Sequence, residues 1–138
     1  MELDDALALA ASHRQSVLVT IKRSGRPQLS NVLHSLGDDG LIRISTTAGR
    51  AKVTNVAREP WAALHVTGDT FYAYAVLEGT AQLSPVSAHA DDATVEELVE
   101  LYRALAGEHK DWAEYRAAMV SDGRLVIRFS PTRAYGMP

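Results

Sequence analysis

Two cations and a run of small hydroxyls stand close together in Ser45-Thr-Thr-Ala-Gly-Arg-Ala-Lys-Val-Thr-Asn55. Hydroxyl, guanidinium and ammonium groups all donate hydrogen bonds, so such a set suits an anion, above all a phosphate. The spacing predicts a short helix after a strand, capped by Thr46 or Thr47, with Arg50 and Lys52 in its first turn. The helix dipole disfavours cations there, and a bound phosphate would supply the reason for them. The same residues also fit a solvated helix start carrying two surface cations. Ser45, Thr46 and Thr47 bring hydroxyls to the same place, one of them as the cap. Asn55 falls one turn below Ala51, within reach of a ligand or facing water. Upstream, Arg26-Pro-Gln-Leu-Ser-Asn31 reads as a strand. Gln28 and Ser30 share one face and Asn31 lies on the other. A polar strand face of this kind either meets solvent or lines a pocket.

Other chemistries lack their residues. The chain has no cysteine, which removes disulfides, thiol catalysis and Cys-ligated metals. His34 and His65 have no partner at metal-ligand spacing, and His13, His89 and His109 fall in helix ends or loops. No nucleophile-base order, paired-carboxylate motif, G-x-G-x-x-G or Walker sequence is present, so catalysis would have to come from a cofactor. The 138 residues carry a net charge of −3, which gives no bulk case for nucleic acid or an acidic membrane surface. No run is long enough to span a bilayer, and the acidic start (Glu2, Asp4, Asp5) does not read as a signal peptide. These features lead us to expect one cytoplasmic domain over 1-138.

The elements that must position these residues alternate in type. Leu3, Ala6, Leu7, Ala10 and Ala11 predict an N-terminal helix. Strands are predicted at 16–23 and 28–36, joined by a turn at Ser24-Gly25, then at 41–46 and 61–67. The helix between the last two runs to about Arg58. Residues 71–83 read as one long strand that bends at Gly79. On it Tyr72 and Tyr74 share a face with Glu78, so that face is an oligomer contact or a ligand wall. Thr94-x-x-Glu97 predicts a capping box for a helix ended by Gly107. Asp111 starts another helix with the stripe Trp112, Tyr115, Met119 and Val120. A last strand follows over 124–130. This order suggests a small antiparallel β-barrel with interposed helices.

Five blocks taken together carry a resemblance: Thr20-Ile-Lys-Arg-Ser-Gly-Arg-Pro-Gln-Leu-Ser-Asn31, Arg50-Ala-Lys-x-x-Asn55, Tyr74-Ala-Val-x-Glu-Gly-Thr-Ala81, Leu101-Tyr-Arg-x-x-Ala-Gly-Glu-His109 and Ala134-Tyr-Gly136. The chain resembles the flavin/deazaflavin oxidoreductase superfamily, and within it the actinobacterial B group that uses coenzyme F420. The resemblance implies a mainly β fold with helices, the split β-barrel of pyridoxamine-phosphate-oxidase-like proteins, a Greek-key antiparallel barrel. It implies a homodimer with cofactor sites at the subunit interface and a small-molecule substrate. Arg50, Lys52 and Asn55 match positions that hold the cofactor's phosphate and charged tail, and Ser45 and Thr46 match the neighbouring strand end. Gln28, Leu29, Ser30 and Asn31 match the segment beside the tricyclic ring. Tyr72 stands where relatives place an aromatic residue, often Trp, near the ring of the partner chain. The implied reaction is hydride transfer from reduced deazaflavin to an unsaturated acceptor. The alternatives are a flavin mononucleotide (FMN) enzyme of the pyridoxamine-phosphate-oxidase type, or a non-catalytic F420 carrier.

Overall fold

The computed structural model describes residues 1–138. The chain runs α1 (Leu3–Ser12), β1 (Gln15–Ile21), β2 (Pro27–Leu33), β3 (Ser35–Leu36), β4 (Ile42–Thr47), α2 (Ala51–Arg58), β5 (Trp61–Thr67), β6 (Tyr74–Leu83), α3 (Ala93–Ala106), α4 (Trp112–Ser121) and β7 (Arg124–Met137). All strand pairs are antiparallel, in one sheet ordered β2-β1-β5-β6-β7-β4-β3. The sheet's two end strands, β2 and β3, are separated in the chain by His34 alone, so the sheet curls back on itself into a half-barrel.

The curl has a local cause. Glu78 pairs with Arg133 but Gly79 pairs with Pro131, so Thr132 is the extra residue of a bulge. A Cβ at position 79 would lie 2.0 Å from the Ser130 carbonyl oxygen, so only glycine lets the two strands approach there. The bend predicted at Gly79 is present. Strand β7 pairs with β6 over Ile127–Met137 and, on its other edge, with β4 over Arg124–Phe129.

Inside the curl, Leu18, Ile42, Ile44, Leu64, Leu77, Ile127 and Phe129 pack with Ala6 and Ala10 of α1 and Val53 and Val56 of α2. Alternation puts these residues on one sheet face because successive side chains point to opposite sides. The helix pair α3/α4 covers the outer face of β7 instead, burying Val95, Leu98, Val99 and Met119 against Val126. Ala11, which helical spacing puts on one face with Ala6 and Ala10, is exposed.

The strand expected over 28–36 breaks at His34 into β2 and β3, and the last strand, expected over 124–130, runs on to Met137. Three further expectations differ. Residues 71–73 belong to the turn before β6, so Tyr72 does not share a strand face with Tyr74. Side-chain competition explains the second difference. Asp92 caps α3, its Oδ1 accepting from the Val95 N–H at 2.8 Å, while Thr94 donates to the Pro85 carbonyl at 2.9 Å. Glu97 is thereby free for the sheet. Arg43 and Arg128 stand directly opposite each other on β4 and β7, and like charges so placed repel. Glu97 accepts from Arg43 Nε at 2.8 Å and from Arg128 Nη2 at 2.6 Å, and resolves the repulsion. The third difference concerns α2 and is described with the site.

The Arg128 hydrogen bond, followed by that from Arg43, holds the Glu97 carboxyl below its usual value despite burial. Its stabilisation is complete above the unfolded value near 4.5 and is lost as pH falls through the lower folded value. Glu97→Gln should therefore destabilise the protein by about 2 kcal/mol at pH 7. Denaturant unfolding of both proteins from pH 7 to pH 3 should show that deficit shrinking below pH ~4.

Candidate functional site

Helix α2 begins differently from expectation. Thr46 and Thr47 belong to β4, and neither caps the helix; Arg50 is the N-cap residue, and no side chain caps it. The Ala51 and Lys52 N–H groups have no backbone acceptor in the chain. Strand alternation also separates the predicted hydroxyls. Thr46 points into the barrel and is buried, whereas Ser45 and Thr47 lie on the outer face.

On that outer face the structure adds a residue that the local motif did not contain. Arg124, the first residue of β7, pairs with Thr47 and donates from Nη1 to Ser45 Oγ at 3.2 Å. Its one carboxylate neighbour, Asp122, is 4.0 Å away. Arg50 and Lys52 make no ion pair and no side-chain hydrogen bond. Burial, then the nearby charges of Arg50 and Arg124, hold the Lys52 ammonium below its ordinary pKa. Three cations thus converge with almost no neutralising charge, in a chain whose net charge is −3. An anion placed among them would reverse the repulsion and raise the Lys52 pKa.

The strand segment sorts into two faces. Gln28, Ser30 and Val32 point inward and are half-buried, while Leu29, Asn31 and Leu33 point outward. Asn55 is turned inward as well and is 6% exposed. Its Nδ2 donates to Thr20 Oγ1 at 3.1 Å, and its Oδ1 accepts from Arg58 at 3.2 Å. Thr20 donates to Gln28 Oε1 at 2.9 Å, and Gln28 Nε2 donates to Ser30 Oγ at 2.8 Å. A continuous polar chain therefore ties α2 through β1 to β2. In it Asn55 is a bracket between elements; its side chain does not reach outward. Thr20 was not singled out from sequence, because its neighbours Val17 to Ile21 read simply as strand.

The outer face of β2, β1, β5, β6 and β7 forms a continuous surface. Register places Asn31, Val17, His65, Val76 and Tyr135 in one row, and Leu29, Val19, Ala63, Glu78 and Arg133 in the next. Leu29, Leu33, Tyr135 and Met137 are more than half exposed there. Tyr74 stacks on His65 with ring centroids 5.5 Å apart. An open depression of about 1090 Å³ lies over this face, lined among others by Arg14, Val17, Asn31, Leu33 and His65. The turn before β6 carries Phe71 and Tyr72, both rings more than three-quarters exposed. His34 is not at this surface. It is fully buried, and its Nε2 donates to the Ala10 carbonyl at 2.9 Å. That bond leaves Nδ1 to accept from Ser16 Oγ at 2.7 Å. Desolvation lowers its pKa, so the imidazole is neutral and anchors α1 to the barrel. Among the described residues no cluster of metal ligands occurs.

A curled antiparallel half-barrel with this helix arrangement is the architecture of the split-barrel flavin and deazaflavin oxidoreductase superfamily. Residues 3–137 match the pyridoxamine 5'-phosphate oxidase family, and the chain belongs to it. Three solved structures show how widely the fold is shared. An F420 reductase is 22% identical, with a TM-score of 0.70 over 93% of this chain and 94% of its own. A conserved hypothetical protein from Mycobacterium tuberculosis is also 22% identical, with a TM-score of 0.72 over 97% of this chain and 82% of its own. The heme storage protein HutZ from Vibrio cholerae is 11% identical, with a TM-score of 0.68 over 97% of this chain and 92% of its own. At these identities the likeness is one of fold.

Lys52→Ala should weaken binding of a phosphate-bearing ligand at least tenfold, since a charge-assisted hydrogen bond contributes about 1.5–3 kcal/mol. Calorimetry with FMN and with coenzyme F420 measures the loss. The melting temperature should stay within a few degrees, because Lys52 holds no partner in the fold. An unchanged affinity with a lower melting temperature would make Lys52 structural.

Proposed function

We propose that this protein is a homodimeric oxidoreductase that uses coenzyme F420 to reduce an unsaturated small molecule. The observation that supports this most strongly is the unneutralised cluster of Arg50, Lys52 and Arg124, tied through Asn55, Thr20 and Gln28 to the strand Gln28–Asn31. The donors fit the group. Two guanidiniums, an ammonium, the Ser45 hydroxyl and two free N–H groups match a phosphate with further negative charge beside it.

When bound, the deazaflavin supplies the hydride chemistry. The chain's part is binding, orientation and exclusion of water. Arg50, Lys52 and Arg124 hold the anionic end, with Ser45 orienting Arg124. Leu29 and Leu33 offer an apolar wall, and the Asn31 amide between them offers one donor and one acceptor to a polar edge. A second copy of the chain covers the exposed outer face between Leu29 and Tyr135, and its Tyr72 closes the site. Ser30 and Gln28 act from inside the barrel by fixing the strand. Thr46 also acts from inside, at the end of β4.

A phosphomonoester also suits these cations, which keeps an FMN enzyme as the second reading. A non-catalytic carrier is the third, since the hydride chemistry would reside in the cofactor and no side chain need react. Titration of the protein with both cofactors decides the first question: F420 should bind more tightly than FMN, and the opposite order would defeat the assignment. Turnover of reduced cofactor with a panel of acceptors separates enzyme from carrier.

The dimer is testable separately. Sedimentation equilibrium should give twice the 15.0 kDa chain mass at micromolar concentration. A monomer with cofactor still bound would exclude an interfacial site.

Catalysis should not hinge on one side chain. His34→Gln, His65→Gln and Asn31→Ala should each leave measurable single-turnover oxidation of bound reduced cofactor, slowed by about tenfold to a thousandfold at most. His34 is sealed in the core, and the hydride chemistry would reside in the cofactor ring. A variant that binds cofactor normally but shows no transfer would identify an essential acid or base and overturn this mechanism.

A further inference from the structure

The turn that joins β5 to β6 is closed on itself. Gly68 N–H donates to the Ala73 carbonyl at 2.6 Å, and Ala73 N–H to the Thr70 carbonyl at 3.1 Å. A Cβ at position 68 would lie 2.9 Å from the Ala73 Cβ, so glycine lets the two arms meet. At the tip, Phe71 and Tyr72 pack edge to face on each other with ring centroids 5.1 Å apart. Outside the hairpin itself, one hydrogen bond ties residues 68–73 to the rest of the chain. It joins Asp69 Oδ1 to His13 Nε2 at 3.2 Å. The Asp69 side chain is 96% exposed and has no other partner.

The post to which the turn is tied is itself fixed. His13 ends α1, and its Nδ1 lies 2.9 Å from the Leu9 carbonyl. Carbonyl and carboxylate are both acceptors, so the imidazolium, with two N–H groups, makes both bonds at once. The next residue, Arg14, donates from Nη1 to the Leu105 carbonyl at 2.8 Å, near the end of α3. The Arg14 carbonyl accepts the His34 N–H, also at 2.8 Å. His13, Arg14, Thr67 and Gly68 all line the open depression over the outer face. The tie therefore lies at that depression, with a knot of α1, β1 and α3 at one end and the aromatic tip at the other.

We propose that His13, acting through Asp69, is a positioning residue that aims the Phe71–Tyr72 tip, so that Tyr72 meets the cofactor site of a second copy of the chain. The assignment rests on the dimeric cofactor reading above and deepens it, because it names what orders the turn that carries Tyr72. Without the tie, two exposed rings would lose their freedom only on docking, and that loss opposes binding.

Two measurements test the tie. NMR relaxation of the backbone amides in the unliganded protein reads the order of residues 69–72, and calorimetry reads the affinity for F420. Asp69→Ala should loosen 69–72 and weaken F420 about two- to fivefold, the range of an exposed ion pair. Its melting temperature should stay within a few degrees of the original, because Asp69 holds no other partner. His13→Ala should match it, and the aspartate variant decides should the histidine change lower the melting temperature further. Asp69→Glu, which keeps the carboxylate, should restore both order and affinity. Tyr72→Ala should also weaken F420, and adding Asp69→Ala to it should cost nothing more, because the aspartate acts through that ring. Unchanged order in Asp69→Ala, or an equal loss with and without Tyr72, would overturn the tie and leave the cofactor assignment standing. If the unmodified protein binds FMN and not F420, the deazaflavin assignment falls, and the same comparison read with FMN decides the tie. If it binds neither, the positioning role falls with the cofactor.

Discussion

The close passage of β6 over β7 at Gly79 is the constraint on which the rest of this fold depends. There is room for a hydrogen atom between Gly79 and the Ser130 carbonyl, and none for a methyl group. Strand β7, which carries the bulge, serves two neighbours, β6 on one edge and β4 on the other. Because β7 reaches β4, Arg124 arrives beside Thr47 and Ser45, next to a helix start that lies far away in sequence. Backbone packing at the centre of the sheet thus decides which charges meet at its end.

The protein treats its cations in two ways. Arg43 and Arg128 face each other across a strand pair, and the fold spends a half-buried glutamate on neutralising them. Arg50, Lys52 and Arg124 also crowd together, yet the one carboxylate near them stands at the limit of ion-pair distance. Arg124 stands on the same strand pair as Arg43 and Arg128, so the strand pair alone does not force the difference. The second cluster carries repulsion that the folded chain itself does not relieve. Repulsion of that kind is tolerated where something else completes the site.

Much of this was legible in the sequence. Period-two alternation marked the strands, with β5 found at its observed limits, and Gly79 announced the bend. Asp111 and Gly107 marked helix ends through short-range hydrogen bonding and backbone freedom, which depend on near neighbours alone. The failures share a physical origin. Thr94 with Glu97 has the spacing of a cap, but Asp92 competes for the N–H and two arginines from the sheet compete for the glutamate. Tyr72 continues an alternating pattern, yet the chain turns there instead. Arg50, Lys52 and the strand from Gln28 to Asn31 were visible as chemistry. The inward turn of Asn55 and Thr46 and the arrival of Arg124 were not, because each depends on a pairing between distant segments.

The hydrogen-bonded line from Asn55 through Thr20 and Gln28 to Ser30 has a mechanical consequence. Each link is a short side chain held at both ends, so the line resists stretching and shear. Helix α2 and strand β2 must then shift as one body. Contact at one end of the line is felt at the other as alignment, with no moving loop required. A slack link at Thr20, which touches neither end, would blur that alignment while leaving every surface group in place.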